Sequence, residues 1–208
     1  MSSMKSPEYA RSTIADTWRW LWPDVLMRIL PLSIIPFLYI IIFHLPLSFL
    51  GLTLNNLHEQ LLVGFLVGIP MAVFAAAYRM NIVGPWFRRP TIGDHTLQAF
   101  FYLIINAPAE ELFFRGFLLT AVAQWTGWIG WGWLVSTVLY TLYHRLGKWS
   151  WRSVAGVGLA GIVFSIVYLA QPQPYSLPGV VIVHGLTTWG FLSLGDEVMY
   201  HFWRRQRH

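Results

Sequence analysis

The chain has 208 residues, 56% of them hydrophobic and only 11% charged, with a mean hydropathy of +0.52. Soluble domains carry about 25% charged residues, so a water-soluble fold of this composition leaves too much apolar surface without cover, and a bilayer is the solvent it fits. The net charge of +5 does not point to nucleic acid, because no basic patch with interleaved stacking aromatics stands apart from the helix ends. The absence of cysteine excludes disulfides, a thiol nucleophile and thiolate metal ligands.

The length suggests one domain, and the pattern predicts an all-α fold: a polytopic membrane helix bundle. Residues 1–24 are polar, with Glu8, Arg11, Asp16 and Arg19 and no removable signal peptide, and read as a cytoplasmic N-terminal segment. A spanning helix needs about 20 mostly apolar residues, and six such segments follow. The first is 26–46, with Pro31 and Pro36 expected to kink it. The second is 61–78. The third is 97–123, interrupted by Pro108, with a break expected within 106–108. The fourth is 128–144, the fifth 154–170 and the sixth 179–194. The run Gln171, Pro172, Gln173, Pro174 reads as a turn-rich loop. Asp196 and Glu197 mark the expected cytoplasmic end of the last helix. The bundle is taken as 25–200, followed by a basic tail at 201–208.

Charge placement orients the bundle. Lys5, Arg11, Arg19 and Arg28 flank the first helix; Arg79, Arg88 and Arg89 fall in the second loop; Arg145, Lys148 and Arg152 fall in the fourth; Arg204, Arg205 and Arg207 lie in the tail. The loops at 55–59, 125–128 and 171–178 contain no Lys or Arg. Cytoplasmic loops collect Lys and Arg, so both termini are expected in the cytoplasm.

The one basic residue outside this scheme is Arg115, in the sequence Ala109-Glu110-Glu111-Leu112-Phe113-Phe114-Arg115-Gly116 inside the third segment. Each ionisable side chain at the centre of a membrane helix costs about 2.5–3.5 kcal/mol on insertion scales, so three within six residues belong on the protein interior with partners. Glu111 and Arg115 are four apart and share a face. Glu110 lies about 100° round the helix, beside Asn106 and Phe114, with no cation in its own helix. A desolvated carboxylate without a cation favours its protonated form, the condition of a general acid or base.

Two histidines also sit in apolar helical sequence. His144 follows Tyr140 by one turn, and His184 precedes Thr188 by one turn. A Glu and two His on three helices are a set that activates water without Cys or Ser, and also a zinc-type ligand set. His44, His58, His95, His201 and His208 lie at loops or in the tail and carry little signal.

These motifs together, Glu110-Glu111-x-x-x-Arg115, Tyr140-x-x-x-His144 and His184-x-x-x-Thr188, resemble the CPBP family, the CAAX-protease and bacteriocin-processing intramembrane endopeptidases, also called ABI or Rce1-like. The resemblance spans about 106–191. It implies a multi-pass protein of a bacterial or archaeal plasma membrane, with its site in the cytoplasmic half, that hydrolyses a membrane-associated or lipidated protein or peptide. It implies Glu110 as the base that activates water, His144 assisting it, His184 and Thr188 stabilising the oxyanion, and Glu111 and Arg115 holding the geometry. Two positions depart from the family pattern: Tyr140 stands where Phe is usual, and Thr188 where Asn or Asp is usual. Thr keeps a hydroxyl but is shorter, and Asn106, one turn before Glu110, is the candidate for the missing amide. The family has been described both as metal-dependent and as a metal-free glutamate protease. A zinc ion would take Glu110, His144 and His184; the absence of a His-x-x-x-His pair favours catalysis with no cofactor. A second class of reading is a non-catalytic immunity or scaffold protein that binds a peptide without cutting it, and Thr188 favours that one. A transporter is a third class, against which stands the lack of internal symmetry.

Overall fold

The computed structural model describes residues 14–83, 91–147 and 149–205. Among them there is no strand, and six helical runs follow in chain order: α1 (Ile14–Ile42), α2 (Leu57–Val83), α3 (92–126), α4 (Ile129–Tyr143), α5 (Trp151–Leu169) and α6 (178–205). Lys5, Arg11, Arg88, Arg89, Lys148 and Arg207, together with Glu8 and His208, lie outside the described residues. Four of the runs, α1, α2, α5 and Pro178–His201 of α6, are long and apolar enough to cross a membrane. The other two depart for identifiable reasons. α3 carries Glu110, Glu111 and Arg115 within its apolar stretch, and α4 has 15 residues, about 22 Å at 1.5 Å per residue against a hydrocarbon core of about 30 Å. Large apolar side chains cover the outside of the bundle, among them Met27 at 79% exposure and Leu66 and Ile41 at 65%. Such a surface suits lipid and not water. The chain is an all-α membrane helix bundle.

Contacts between helix ends show how the runs alternate. At one end, the Tyr78 hydroxyl of α2 donates to the Arg152 carbonyl at the start of α5, Arg79 pairs with Asp196 of α6 at 2.6 Å, and Thr17 of α1 bonds Asp94 of α3. At the other end, Leu177 N–H donates to the Gly51 carbonyl, Gln60 to Gln171, and Trp125 of α3 to the Tyr39 hydroxyl of α1. The helix ends that carry Arg79 and Arg152 therefore share one end of the bundle, and the connections at 43–56, 127–128 and 170–177 share the other.

Two sequence expectations change. The first concerns boundaries: the divisions at 24/25 and 200/201 fall inside continuous helices, and α6 runs on past Asp196 and Glu197 to Arg205. Hydropathy sees only the apolar middle of such a helix. The extensions are amphipathic, as in α1, where Thr17 and Leu21 are buried one turn apart while Trp18 and Trp22 are half exposed. The second concerns α3, which does not break within 106–108. Asn106 has helical angles (φ −70°, ψ −54°), and the run is helical from 92 to 126. In place of a break, the helix widens to π geometry over Phe101–Asn106 and again over Leu112–Leu119. Proline lacks an N–H and its ring crowds the carbonyl four residues earlier. The π turn spanning Ile104 makes room for Pro108, as the π turn Val25–Ile29 does for Pro31 in α1.

α2 and α6 make the closest crossing. α2 buries Gln60, Gly64, Gly68, Ala72 and Ala76, a small-residue stripe at four-residue spacing. A Cβ on Gly190 of α6 would stand 2.3 Å from the Ala72 carbonyl oxygen, and one on Gly68 would stand 2.8 Å from Leu186 Cδ1. Overpacking a buried contact typically costs about 1–3 kcal/mol. Gly190→Val is therefore expected to lower the thermal unfolding midpoint in detergent, and an unchanged midpoint would place the two helices further apart than this.

Candidate active site

The six motif residues Glu110, Glu111, Arg115, Tyr140, His144 and His184 come together from α3, α4 and α6, and every one is buried. Glu110 and Glu111 occupy the short α-helical stretch Ala107–Glu111 between the two π turns of α3. Their consecutive side chains leave that helix in different directions and enter different environments.

Glu111 sits in a buried ion network. Its Oε1 accepts from Arg115 Nη1 at 2.9 Å, the pair foreseen from the four-residue spacing, and from His184 Nδ1 at 2.6 Å. Arg115 Nη2 donates to the Gly161 carbonyl of α5 at 3.0 Å, and its guanidinium lies 4.3 Å from the centroid of the Tyr140 ring. Glu111 and Arg115 are both fully buried. A charge this deep is tolerated only with its partner in place. α5 completes the setting: the Phe164 ring stacks on His184 at 4.7 Å, and a Cβ on Gly161 would meet the Tyr140 ring at 2.8 Å.

Glu110 faces a cavity of about 250 Å³. Asn106, Glu110, His144, His184 and Thr188 line it, with Phe74 and Tyr78 of α2 and Gly156 and Ala160 of α5 forming walls, and Gly147 and Trp149 at the Arg-bearing end. Glu110 Oε2 makes no hydrogen bond within the protein, and it stands 3.6 Å from His184 Nε2 and 3.9 Å from His144 Nε2. His144 Nδ1 lies 2.9 Å from the Tyr140 carbonyl. A carbonyl only accepts, so Nδ1 carries the proton and neutral His144 turns an unprotonated Nε2 toward Glu110. The Tyr140 hydroxyl is 3.4 Å from His184 Nε2. Thr188 is half-buried on the cavity wall, whereas the neighbouring Thr187 hydroxyl is engaged by the Val183 carbonyl.

Sequence reasoning left Glu110 without a cation; the structure supplies Arg28. Arg28 Nη2 donates to Glu110 Oε1 at 2.6 Å and to Asn106 Oδ1 at 2.7 Å. The expectation failed because Arg28 was counted with the flanking charges, whereas it lies inside α1 at the level of the site. Two signals marked it: its apolar neighbours Met27 and Ile29, and Asp24 one turn before it. Glu110 and His144 also come level without a break in α3. α1, α3 and α6 all project beyond the end of α4, where Thr17 bonds Asp94 and His95 bonds Ser193 and Glu197. Asp94 lies 16 residues before Glu110, about 24 Å along the helix, so Glu110 is level with His144 and the excess length of α3 projects past it.

Glu110, His144 and His184 converge on one carboxylate oxygen, yet among the described residues no group of three His, Asp or Glu side chains is arranged to hold a metal ion. The Arg28 guanidinium on the same carboxylate opposes a second cation there.

The family model described as type II CAAX prenyl endopeptidase Rce1-like matches residues 93–190. Over this stretch the chain is similar to that family. The Rce1-like stretch contains Glu110, Glu111, Arg115, Tyr140, His144, His184 and Thr188, and excludes α1 and α2. The function class that it supports is a CAAX-type intramembrane endopeptidase. No curated protein and no solved structure matches the chain.

Removing one member of a buried ion pair strands the other, at a cost of about 3–5 kcal/mol. Arg115→Met is expected to abolish accumulation of folded protein, measured by size exclusion in detergent, and Glu111→Gln added to it is expected to restore part of the yield. If the single variant accumulates normally, Arg115 is not the clamp described here.

Proposed function

We propose that the chain is an endopeptidase that hydrolyses a peptide bond of a lipidated or otherwise membrane-anchored substrate, without a metal, from the cytoplasmic side of the membrane. The observation that carries this reading is the oxygen of Glu110: a buried carboxylate Oε2, bonded to nothing in the protein, flanked at 3.6 and 3.9 Å by two imidazole Nε2 atoms and open to a cavity. Polar atoms more than 3.5 Å apart are commonly bridged by water.

In this reading Glu110 Oε2 takes a proton from water while the water oxygen attacks the substrate carbonyl, with His144 Nε2 accepting the second hydrogen bond that orients the attack. His184, when it carries a proton on Nε2 as well as the Nδ1–H held by Glu111, and Thr188 on the next turn donate to the oxyanion of the tetrahedral intermediate. Collapse breaks the C–N bond, and the proton held by Glu110 passes to the leaving amine. The Arg-bearing end faces the cytoplasm, with both termini on that side. In this reading the substrate segment lies in the cavity against Phe74, Tyr78, Gly156 and Ala160.

The test is cleavage of a farnesylated CAAX peptide, and of an unlipidated transmembrane peptide, by purified protein in liposomes. Glu110→Gln keeps shape and hydrogen bonding but is expected to abolish cleavage while leaving the unfolding midpoint close to wild type. A strong chelator is expected to leave the rate unchanged. Equal activity of wild type and Glu110→Gln would replace this reading with the peptide-binding scaffold, and loss with chelator would require a metal. Thr188→Val removes one oxyanion donor, for which about 10²–10³-fold in rate is the usual loss; a rate unchanged by it would assign the oxyanion to His184 and Asn106.

A further inference from the structure

Resting on the reading of Glu110 as the base, we infer that Arg28 is a positioning residue of the site, and that α1, outside the Rce1-like stretch, completes it. Arg28 Nη2 touches Glu110 Oε1 at 2.6 Å and Asn106 Oδ1 at 2.7 Å, two acceptors one turn apart on α3. Holding Oε1 leaves Oε2 as the only oxygen of that carboxylate turned toward His144 and His184. Arg28 is itself fixed from behind. Its Nε lies 3.2 Å from Asp24 Oδ1, one turn earlier on α1, and its guanidinium stands 5.3 Å from the Tyr143 ring centroid.

The other cation near the site has no freedom to take this place, because Arg115 is engaged by Glu111 and the Gly161 carbonyl. The two cations also differ in setting: the Arg115 side chain is fully buried, while that of Arg28 is 26% exposed. Arg28 is thus reachable from the cavity that it lines. A guanidinium on two acceptors fixes a carboxylate rotamer in a way that a point charge does not. A base displaced by about 1 Å loses about 10²-fold in rate.

The experiment uses full-length protein in liposomes with the farnesylated CAAX peptide. Arg28→Ala is expected to lower kcat about 10²-fold with KM little changed, and Arg28→Lys to regain only part of it. Millimolar methylguanidinium is expected to restore activity to Arg28→Ala and not to Arg28→Lys, whose side chain fills the space. A merely neutralising role predicts something else: full recovery with Lys, or a lower unfolding midpoint with unchanged kcat in the folded fraction, and either result overturns the proposal. The contact is checked apart from activity by the unfolding midpoints of Arg28→Met, Glu110→Gln and the double variant, expected to be strongly non-additive; additivity overturns it. If wild type cleaves nothing, or Glu110→Gln cleaves normally, the protease reading fails and this role fails with it. Non-additive midpoints would then leave an ion pair without a catalytic base.

Discussion

A carboxylate removed from water inside a membrane protein needs a cation or must give up its charge, and the placement of Glu110 and Glu111 follows from this. Two consecutive acids leave one helix on faces about 100° apart, so one cation cannot serve both. Arg115, four residues on, reaches Glu111 alone. Glu110 needs a cation from another helix, and α1 brings Arg28. The bundle is therefore tied at its centre in two directions, with α3 drawn to α5 and α6 through Arg115 and Glu111, and to α1 through Glu110. The two pairs are not equivalent. The Glu111 pair shares Oε1 with His184, which fixes a ring; each acid keeps one oxygen without a partner, and that of Glu110 faces the two imidazoles at the cavity.

The helices are shaped to bring these partners level. Glu110 lies deep along α3 while His144 caps the short α4, and a break in α3 is one way to reconcile them. The structure does so by letting α1, α3 and α6 run past the end of α4 and bond to one another there, through Thr17, Asp94, His95 and Glu197. Pro31 and Pro108 stay in their helices because π turns precede them. The same widening re-aims side chains around Glu110 and Glu111, the setting in which π turns are frequently found at functional sites.

Much of this was legible in the sequence. Six apolar segments and the alternation of arginine-bearing loops gave the helices and their alternate ends, since both signals depend on composition that the bilayer selects. The Glu111–Arg115 pair followed from helical spacing, and Glu110, His144 and His184 stood out as ionisable groups in apolar sequence. Arg28 did not, because its partners are 78 and 82 residues away and its position near a helix end offered a sufficient explanation. The argument that marked Arg115 applies equally to Arg28 between Met27 and Ile29. Phe164 and Gly161 were invisible for a different reason: an apolar residue in an apolar helix carries no sign of the ring or guanidinium it meets.

The two departures from the family pattern fall at one place, and the geometry connects them. Tyr140 adds a hydroxyl 3.4 Å from His184 Nε2, where phenylalanine has none. Thr188, one turn after His184 on the same cavity, has a hydroxyl where Asn or Asp is usual. An amide nitrogen only donates, whereas a hydroxyl donates or accepts according to its rotation. The polar groups nearest His184 Nε2 are the Tyr140 hydroxyl at 3.4 Å and Glu110 Oε2 at 3.6 Å. Because Glu111 fixes the ring through Nδ1, Nε2 is held toward both groups, and Tyr140 adds beside the free oxygen of Glu110 a hydroxyl that phenylalanine would not supply.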